Sequence, residues 1–298
     1  MNTEFKKLPK ILRVYRVIWM VLNLMACMVC AMWILWTERD YFKRTRKFAK
    51  NANFWCGRGI RILNFKINLI NFPKEKDNYL VLCNHMGFMD ILSMASIMEG
   101  VFVTSQEMKE TPVLGKICEM GGCIFIERRS REQIPNEIRV LGNHLKENLN
   151  IILFPEGTSG DGSRILPIKK SFVLAGQGTG KNILPVVINY KKINGKIPMS
   201  HQFRDYLCWY GDMGFGSTFW KMTEIESVDV DLVFADPIIV TEESDRKVAA
   251  AHVQNFFEDK FEPVTYPEGV PQFDLAEYLA RQKAKATALK VSKAEKQL

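Results

Sequence analysis

His85 and Asp90 stand five residues apart. They lie directly after the apolar run Tyr79–Cys83 and at the start of an apolar helical pattern made by Ile91, Leu92, Met94, Ala95, Ile97 and Met98. Histidine exchanges a proton near neutral pH, and a carboxylate beside it fixes the tautomer and stabilises the imidazolium. Such a pair is two-thirds of a hydrolase triad. The third member, a serine on a G-x-S-x-G elbow, is absent from the sequence. A His–Asp couple without its own nucleophile points to a substrate that brings the hydroxyl. Spacing alone leaves a plainer reading open, with Asp90 a favourable first-turn anion and His85 a satisfied polar residue.

A second constellation follows at Asn150–Gly162, where the run Ile151–Phe154 enters the turn Pro155-Glu156-Gly157-Thr158-Ser159-Gly160. This again reads as a buried strand leading into a Pro/Gly-rich turn, here one carrying a glutamate. NHxxxxD after one strand and FPEGT after a later one resemble the PlsC-like glycerolipid acyltransferases, the 1-acylglycerol-3-phosphate O-acyltransferase family. Between them, Gly122–Arg128 is similar to the family's G-x-x-F-x-x-R block, and Ile183–Val187 resembles its fourth block. The four blocks keep the family's order from Asn84 to Val187.

The resemblance implies roles residue by residue. His85 is expected as the general base that deprotonates an acceptor hydroxyl, and Asp90 as its orienting partner. The freed oxygen attacks the carbonyl of a fatty acyl thioester, with no acyl-enzyme intermediate. Arg128 is expected on the acceptor phosphate, and Glu156, Gly157 and Thr158 around the acceptor site. No cofactor is implied beyond the co-substrate, an acyl-coenzyme A or acyl carrier protein. The thioester is already activated, which leaves proton removal, positioning and oxyanion stabilisation as the protein's tasks.

Two positions depart from the family pattern. Ser105 stands where the family carries a lysine, and Ser159 stands where EGTR carries its arginine. Loss of two charge-assisted contacts weakens binding of a bare phosphomonoester by several kcal/mol unless Arg129, Arg164, Lys169 or Lys170 substitutes. The other explanation is an acceptor without an exposed dianionic phosphate, such as a lyso-phosphodiester or a lyso-ornithine lipid. A non-enzymatic, membrane-binding use of the fold is a further alternative, which intact His85, Asp90 and Glu156 argue against.

The elements that must position these residues read as an α/β domain: a mixed, largely buried sheet covered by helices on both faces. Strands are expected at Phe65–Ile70, Tyr79–Cys83, Val101–Thr104, Cys123–Ile126, Ile151–Phe154, Leu184–Asn189 and Val228–Phe234. Helices are expected at Ile91–Met98, Pro112–Met120, Gln133–Asn148, Lys169–Gly176 and Arg246–Phe261. Right-handed crossovers would set the ends of the second and fifth strands side by side, bringing His85 and Glu156 into one pocket. Tyr206, Trp209, Tyr210, Phe215, Phe219 and Trp220 flank a glycine-broken loop that reads either as a membrane-contacting lid or as a satellite core.

Val17–Trp36 is about 20 residues long with Asn23 its one strongly polar residue, enough to cross a bilayer core. Basic residues on both flanks (Lys6 to Arg16, then Arg39 to Lys50) suit a helix pair dipping into one leaflet, with Tyr41–Gly57 as an interfacial partner. The expected organisation is membrane-associated helices over 1–58, an acyltransferase domain over 59–265 and a charged tail over 266–298. The expected location is the cytoplasmic face of the cytoplasmic membrane. The net charge of +8 among 298 residues clusters near the apolar segment and the tail and accompanies no nucleic-acid motif. It therefore points to anionic lipid and an acidic acyl carrier rather than to nucleic acid. Seven cysteines form no disulfide or zinc pattern.

Overall fold

The computed structural model describes residues 5–75, 77–127, 132–173 and 175–284. Its strands are β1 (Phe65–Ile70), β2 (Leu80–Cys83), β3 (Gly100–Ser105), β4 (Ile124–Ile126), β5 (Asn150–Leu153), β6 (Ile183–Ile193), β7 (Ile197–Pro198) and β8 (Val228–Phe234). Its helices are α1 (Lys10–Thr37), α2 (Tyr41–Ile62), α3 (Phe88–Ile97), α4 (Gln106–Lys109), α5 (Leu114–Met120), α6 (Ile134–Lys146), α7 (His201–Leu207), α8 (Phe215–Met222) and α9 (Arg246–Lys260). All seven expected strands form, six of them within a residue of the expected ends at both termini, two of those with identical bounds. β6 runs four residues beyond Asn189.

The sheet runs β1-β8-β6-β2-β5-β3-β4, with β7 paired to β6. The strands β6, β2, β5, β3 and β4 are mutually parallel, while β8 runs antiparallel to β6 and carries β1 parallel to itself. Parallel strands are buried on both faces, which is why β2 and β5 read as unbroken apolar runs rather than alternating ones. Leu80, Val81, Leu82 and Cys83 are fully buried, and full burial of such an aliphatic side chain contributes about 1.5–3 kcal/mol. β8 alternates buried and half-buried positions along its length, the pattern of a strand with one face toward the core.

Two stretches differ from the sequence reading. Lys169–Gly176 is not an α-helix; three residues, Lys170–Phe172, form a 3₁₀ turn. The amides that would start a helix are engaged elsewhere, Lys169 N–H with the Pro155 carbonyl (2.8 Å) and Ile168 N–H with the Gln254 side chain (3.1 Å). The aromatic stretch forms two helices, α7 and α8, packed on each other, with the expected glycine-broken loop over 208–214 between them. Residues 275–284 are helical, and the remainder of the expected tail, 285–298, lies outside the described residues.

α1 and α2 form an antiparallel hairpin. Asn23 donates to the Trp55 carbonyl (3.0 Å) and Asn51 to the Cys27 carbonyl (3.2 Å), and Asp40 caps α2 by accepting from Lys43 N–H (2.8 Å). α1 is long and apolar enough to cross a membrane; its 28 residues span roughly 42 Å at the α-helical rise. It leaves Trp19, Trp33, Trp36, Met25 and Val29 exposed. α2 differs from the free interfacial helix expected: it continues to Ile62 and packs against α3, burying Phe48, Ala49, Gly59 and Ile60. The boundary expected at 58 therefore falls inside α2. The foot of α1 is fixed to the start of β8, with Arg13 paired to Glu224 (3.1 Å) and Arg16 donating to the Ile225 and Glu226 carbonyls (both 2.6 Å).

Candidate active site

The site lies at the carboxyl ends of β2 and β5, which pair side by side through Leu80↔Ile151, Val81↔Ile152 and Leu82↔Leu153. Crevices at the carboxyl ends of parallel strands are where α/β sheets present side chains to ligands. Just past β2, Asn84 exchanges two hydrogen bonds with the backbone of Ile188 in β6 (Nδ2–H to O 3.1 Å, N–H to Oδ1 2.7 Å). The chain leaves the sheet at that clamp, and His85 is the first residue free of it.

His85 and Asp90 meet: His85 Nδ1 lies 2.9 Å from Asp90 Oδ2. The same oxygen accepts the N–H groups of Met86 (2.6 Å) and Gly87 (2.7 Å), and Oδ1 accepts the hydroxyl of Tyr190 (2.6 Å). Asp90 is 0% exposed, and the His85 side chain is 18% exposed. The carboxylate sits in the first turn of α3, where the orphan N–H groups of the helix favour an anion. With Nδ1 engaged, Nε2 is the imidazole nitrogen available to a substrate proton. The imidazole stacks on Phe154 (ring centroids 4.1 Å apart, planes at 17°), so its plane as well as its tautomer is fixed.

The FPEGT turn adjoins this couple. Glu156 is buried and bridges two backbone segments, accepting His85 N–H on Oε1 (2.7 Å) and Leu166 N–H on Oε2 (2.8 Å). Burial pushes its carboxyl up to about 8, with the two amide bonds acting in the opposite direction and the nearby charge of Asp90 adding to the rise. Gly160 N–H closes the arrangement on the His85 carbonyl (2.9 Å). Gly157 has a left-handed backbone (φ 75°), which a glycine adopts without the Cβ penalty. Gly157, Thr158 and Ser159 are half-buried. Glu156 thus acts on the position of His85 through its backbone amide. Arg128 and Arg129 lie outside the described residues.

At the two departures from the family pattern, the serines serve the fold. Ser105 ends β3 and is buried. Ser159 donates its hydroxyl to the Trp209 carbonyl. Among the described candidate cations, Lys169 lies against the turn: a Cβ on Gly157 would come within 2.5 Å of its Nζ. Arg164 donates to the Phe273 carbonyl at 3.5 Å.

Three contributors went unread in the sequence. Tyr190 lies just beyond the expected end of β6; its signal was a tyrosine on a core strand, whose hydroxyl needs a buried partner. Trp209 N–H donates to the Met86 carbonyl (2.7 Å), and the Trp209 ring, with Phe88, Phe215 and Phe219, lines an apolar wall beside the loop. The segment 207–209 passes so close to Gly87 that a Cβ there would meet Leu207 O at 2.9 Å and Trp209 N at 3.0 Å. The Leu166 amide, the second anchor of Glu156, is a backbone group without side-chain signature.

Comparisons with known proteins agree with this architecture. The Acyltransferase family model matches residues 64–189. Over 251 residues the chain is 25% identical to a lyso-ornithine lipid O-acyltransferase of Brucella abortus, covering 82% of this chain and 92% of that protein. It is 28% identical over 174 residues to a 1-acyl-sn-glycerol-3-phosphate acyltransferase of Neisseria gonorrhoeae, covering 58% and 66%. The crystal structure of the 1-acyl-sn-glycerophosphate acyltransferase PlsC from Thermotoga maritima superposes with a TM-score of 0.50 at 21% identity, covering 84% of this chain and all of that one; the likeness is one of fold. The sheet, the His–Asp couple and these matches define an O-acyltransferase. Residues 64–189 match the Acyltransferase family, and the chain is similar to PlsC-like acyltransferases.

Proposed function

We propose that this chain transfers a fatty acyl group from an acyl thioester to the free hydroxyl of a lysolipid at a membrane surface. The observation that carries this reading is an imidazole held at Nδ1 by a fully buried aspartate, partly open to solvent and beside the FPEGT turn. Among the described residues no serine or cysteine hydrogen-bonds that imidazole, so the nucleophile comes from the acceptor. His85 takes the hydroxyl proton through Nε2, and Asp90 compensates the resulting imidazolium. The oxygen adds to the thioester carbonyl; collapse of the tetrahedral intermediate breaks the carbon–sulfur bond, and the proton on His85 passes to the departing thiolate. Glu156 sets the height of His85, Gly157 and Thr158 border the acceptor, and Arg128 is assigned to the acceptor head group by its place in the second block. The donor is an acyl-coenzyme A or acyl carrier protein. α1 is the membrane anchor, and the basic residues at its foot suit an anionic cytoplasmic leaflet.

A second reading concerns the head group. Ser159 is tied to Trp209 and Ser105 is buried, so neither offers a phosphate a charge. This favours a lysolipid without a bare phosphomonoester, and several relatives carry the name lyso-ornithine lipid O-acyltransferase. The test is an acceptor panel: purified protein in mixed micelles, one radiolabelled acyl thioester, and lysophosphatidate set against lyso-phosphodiester and lyso-ornithine lipids. His85→Ala is expected to abolish transfer to every acceptor, and retained turnover would refute the general-base role. Clear preference for lysophosphatidate would refute the head-group reading while leaving the reaction class intact.

A further inference from the structure

We infer that Tyr190 is a positioning residue for acyl transfer, acting through Asp90 on the imidazole of His85. The inference rests on the reading of His85 as general base. Three donors (His85 Nδ1, Met86 N–H and Gly87 N–H) converge on Oδ2 of Asp90, all from within five residues of it. Bonds to one oxygen leave the carboxylate plane free to turn about that oxygen. The second oxygen is held by the Tyr190 hydroxyl at 2.6 Å, from a strand one hundred residues further along the chain. With both oxygens fixed, the carboxylate plane is set, and so is the direction in which Oδ2 presents its lone pair to His85.

The anchor itself is rigid. Tyr190 lies in β6, and the same strand holds Asn84 through both backbone groups of Ile188. β6 therefore grips the catalytic loop immediately before His85 and again at Asp90, and the imidazole is carried between two fixed points. The phenol is buried, and burial together with the adjacent Asp90 charge holds it well above the usual tyrosine range, so it remains a protonated donor. A hydroxyl bond to a carboxylate also draws charge toward Oδ1 and sets how much Oδ2 offers the imidazolium.

The test uses the full chain in detergent micelles, with initial rates measured against both substrates and thermal midpoints recorded in parallel. Tyr190→Phe keeps the ring and removes only the hydroxyl. Its kcat is expected to fall about tenfold, the effect of one lost charge-assisted hydrogen bond, with KM for donor and acceptor unchanged. Fluorotyrosine incorporated at position 190 restores a donor of the same shape and is expected to recover the rate. In an Asp90→Asn background the same Tyr190→Phe change is expected to alter kcat less than twofold, because the path through the carboxylate is already gone. The inference is overturned if Tyr190→Phe alone stays within twofold of the parent. It is equally overturned if the tenfold loss recurs undiminished in Asp90→Asn, or if it appears as a raised KM. Turnover retained in His85→Ala overturns the general-base reading as well, which distinguishes that failure from one confined to Tyr190.

Discussion

Asp90→Asn separates charge from shape at the centre of the site. The amide oxygen can take the place of Oδ2 and keep the bonds from Met86 N–H, Gly87 N–H and His85 Nδ1, while the amide nitrogen turns toward the Tyr190 oxygen, which accepts. The Tyr190 O–H then loses its acceptor, so the fold is expected to lose about 1–3 kcal/mol. The loss falls on the reaction. Two unit charges at the observed 2.9 Å interact by about 6 kcal/mol at an effective dielectric of 20. That is an upper bound, since the His85 side chain is 18% exposed and water screens part of it. Halving the figure leaves about 3 kcal/mol of imidazolium stabilisation, or roughly a hundredfold in kcat. The assay is single-turnover acyl transfer from a radiolabelled thioester with saturating lysolipid, alongside a thermal melt. A variant that is folded at the assay temperature and turns over within threefold of the parent would refute the proposed compensation of the imidazolium by Asp90.

Three further outcomes follow from the geometry. Glu156→Gln, nearly isosteric, is expected to cost about 1–3 kcal/mol in denaturant unfolding, because one amide oxygen cannot accept from both His85 N–H and Leu166 N–H and one buried donor is left facing an NH₂ group; an unchanged midpoint would count against the bridge. Stability should also depend on pH through Glu156. Its carboxyl is held at about 8 in the fold against an ordinary 4.5, so its contribution is complete below about 4.5 and is lost as pH rises through about 8. The difference in unfolding free energy between the parent and Glu156→Gln is expected to shrink across that window, and a constant difference would contradict the raised value. Gly87→Ala pushes a Cβ into the backbone of Leu207 and Trp209 at 2.9 and 3.0 Å; about 1–3 kcal/mol of destabilisation with reduced transfer is expected, and a parent-like melt would show that the 207–209 segment yields freely.

The chemistry-bearing residues were legible because their constraints are local. A histidine where the chain leaves a strand, an aspartate five residues on in the first turn of a helix, and a glutamate in a Pro/Gly turn each follow from strand, cap and turn rules that short windows carry. The buried strands were legible for a similar reason: both faces of β2 and β5 are covered, so their apolar runs are unbroken. The 3₁₀ turn at Lys170–Phe172 was misread because its amides answer to Pro155 and Gln254, partners far away in sequence. α7 and α8 were obscured by the glycines between them and at the start of α8 (Gly211, Gly214 and Gly216), and what holds them is packing beside the loop rather than propensity.

From its own pattern the chain determined that a His–Asp couple and an FPEGT turn exist, that each follows a core strand, and that a long apolar helix precedes them. Right-handed crossovers already placed the β2 and β5 ends side by side; tertiary structure alone decided that Glu156 holds the His85 backbone and that Tyr190 and Trp209 complete the surroundings of the loop. The physical reason is the reach of each constraint. Turn and cap preferences act within a few residues. A buried hydroxyl or amide instead takes whichever partner the folded chain brings within about 3 Å, and for Tyr190 that partner is one hundred residues away.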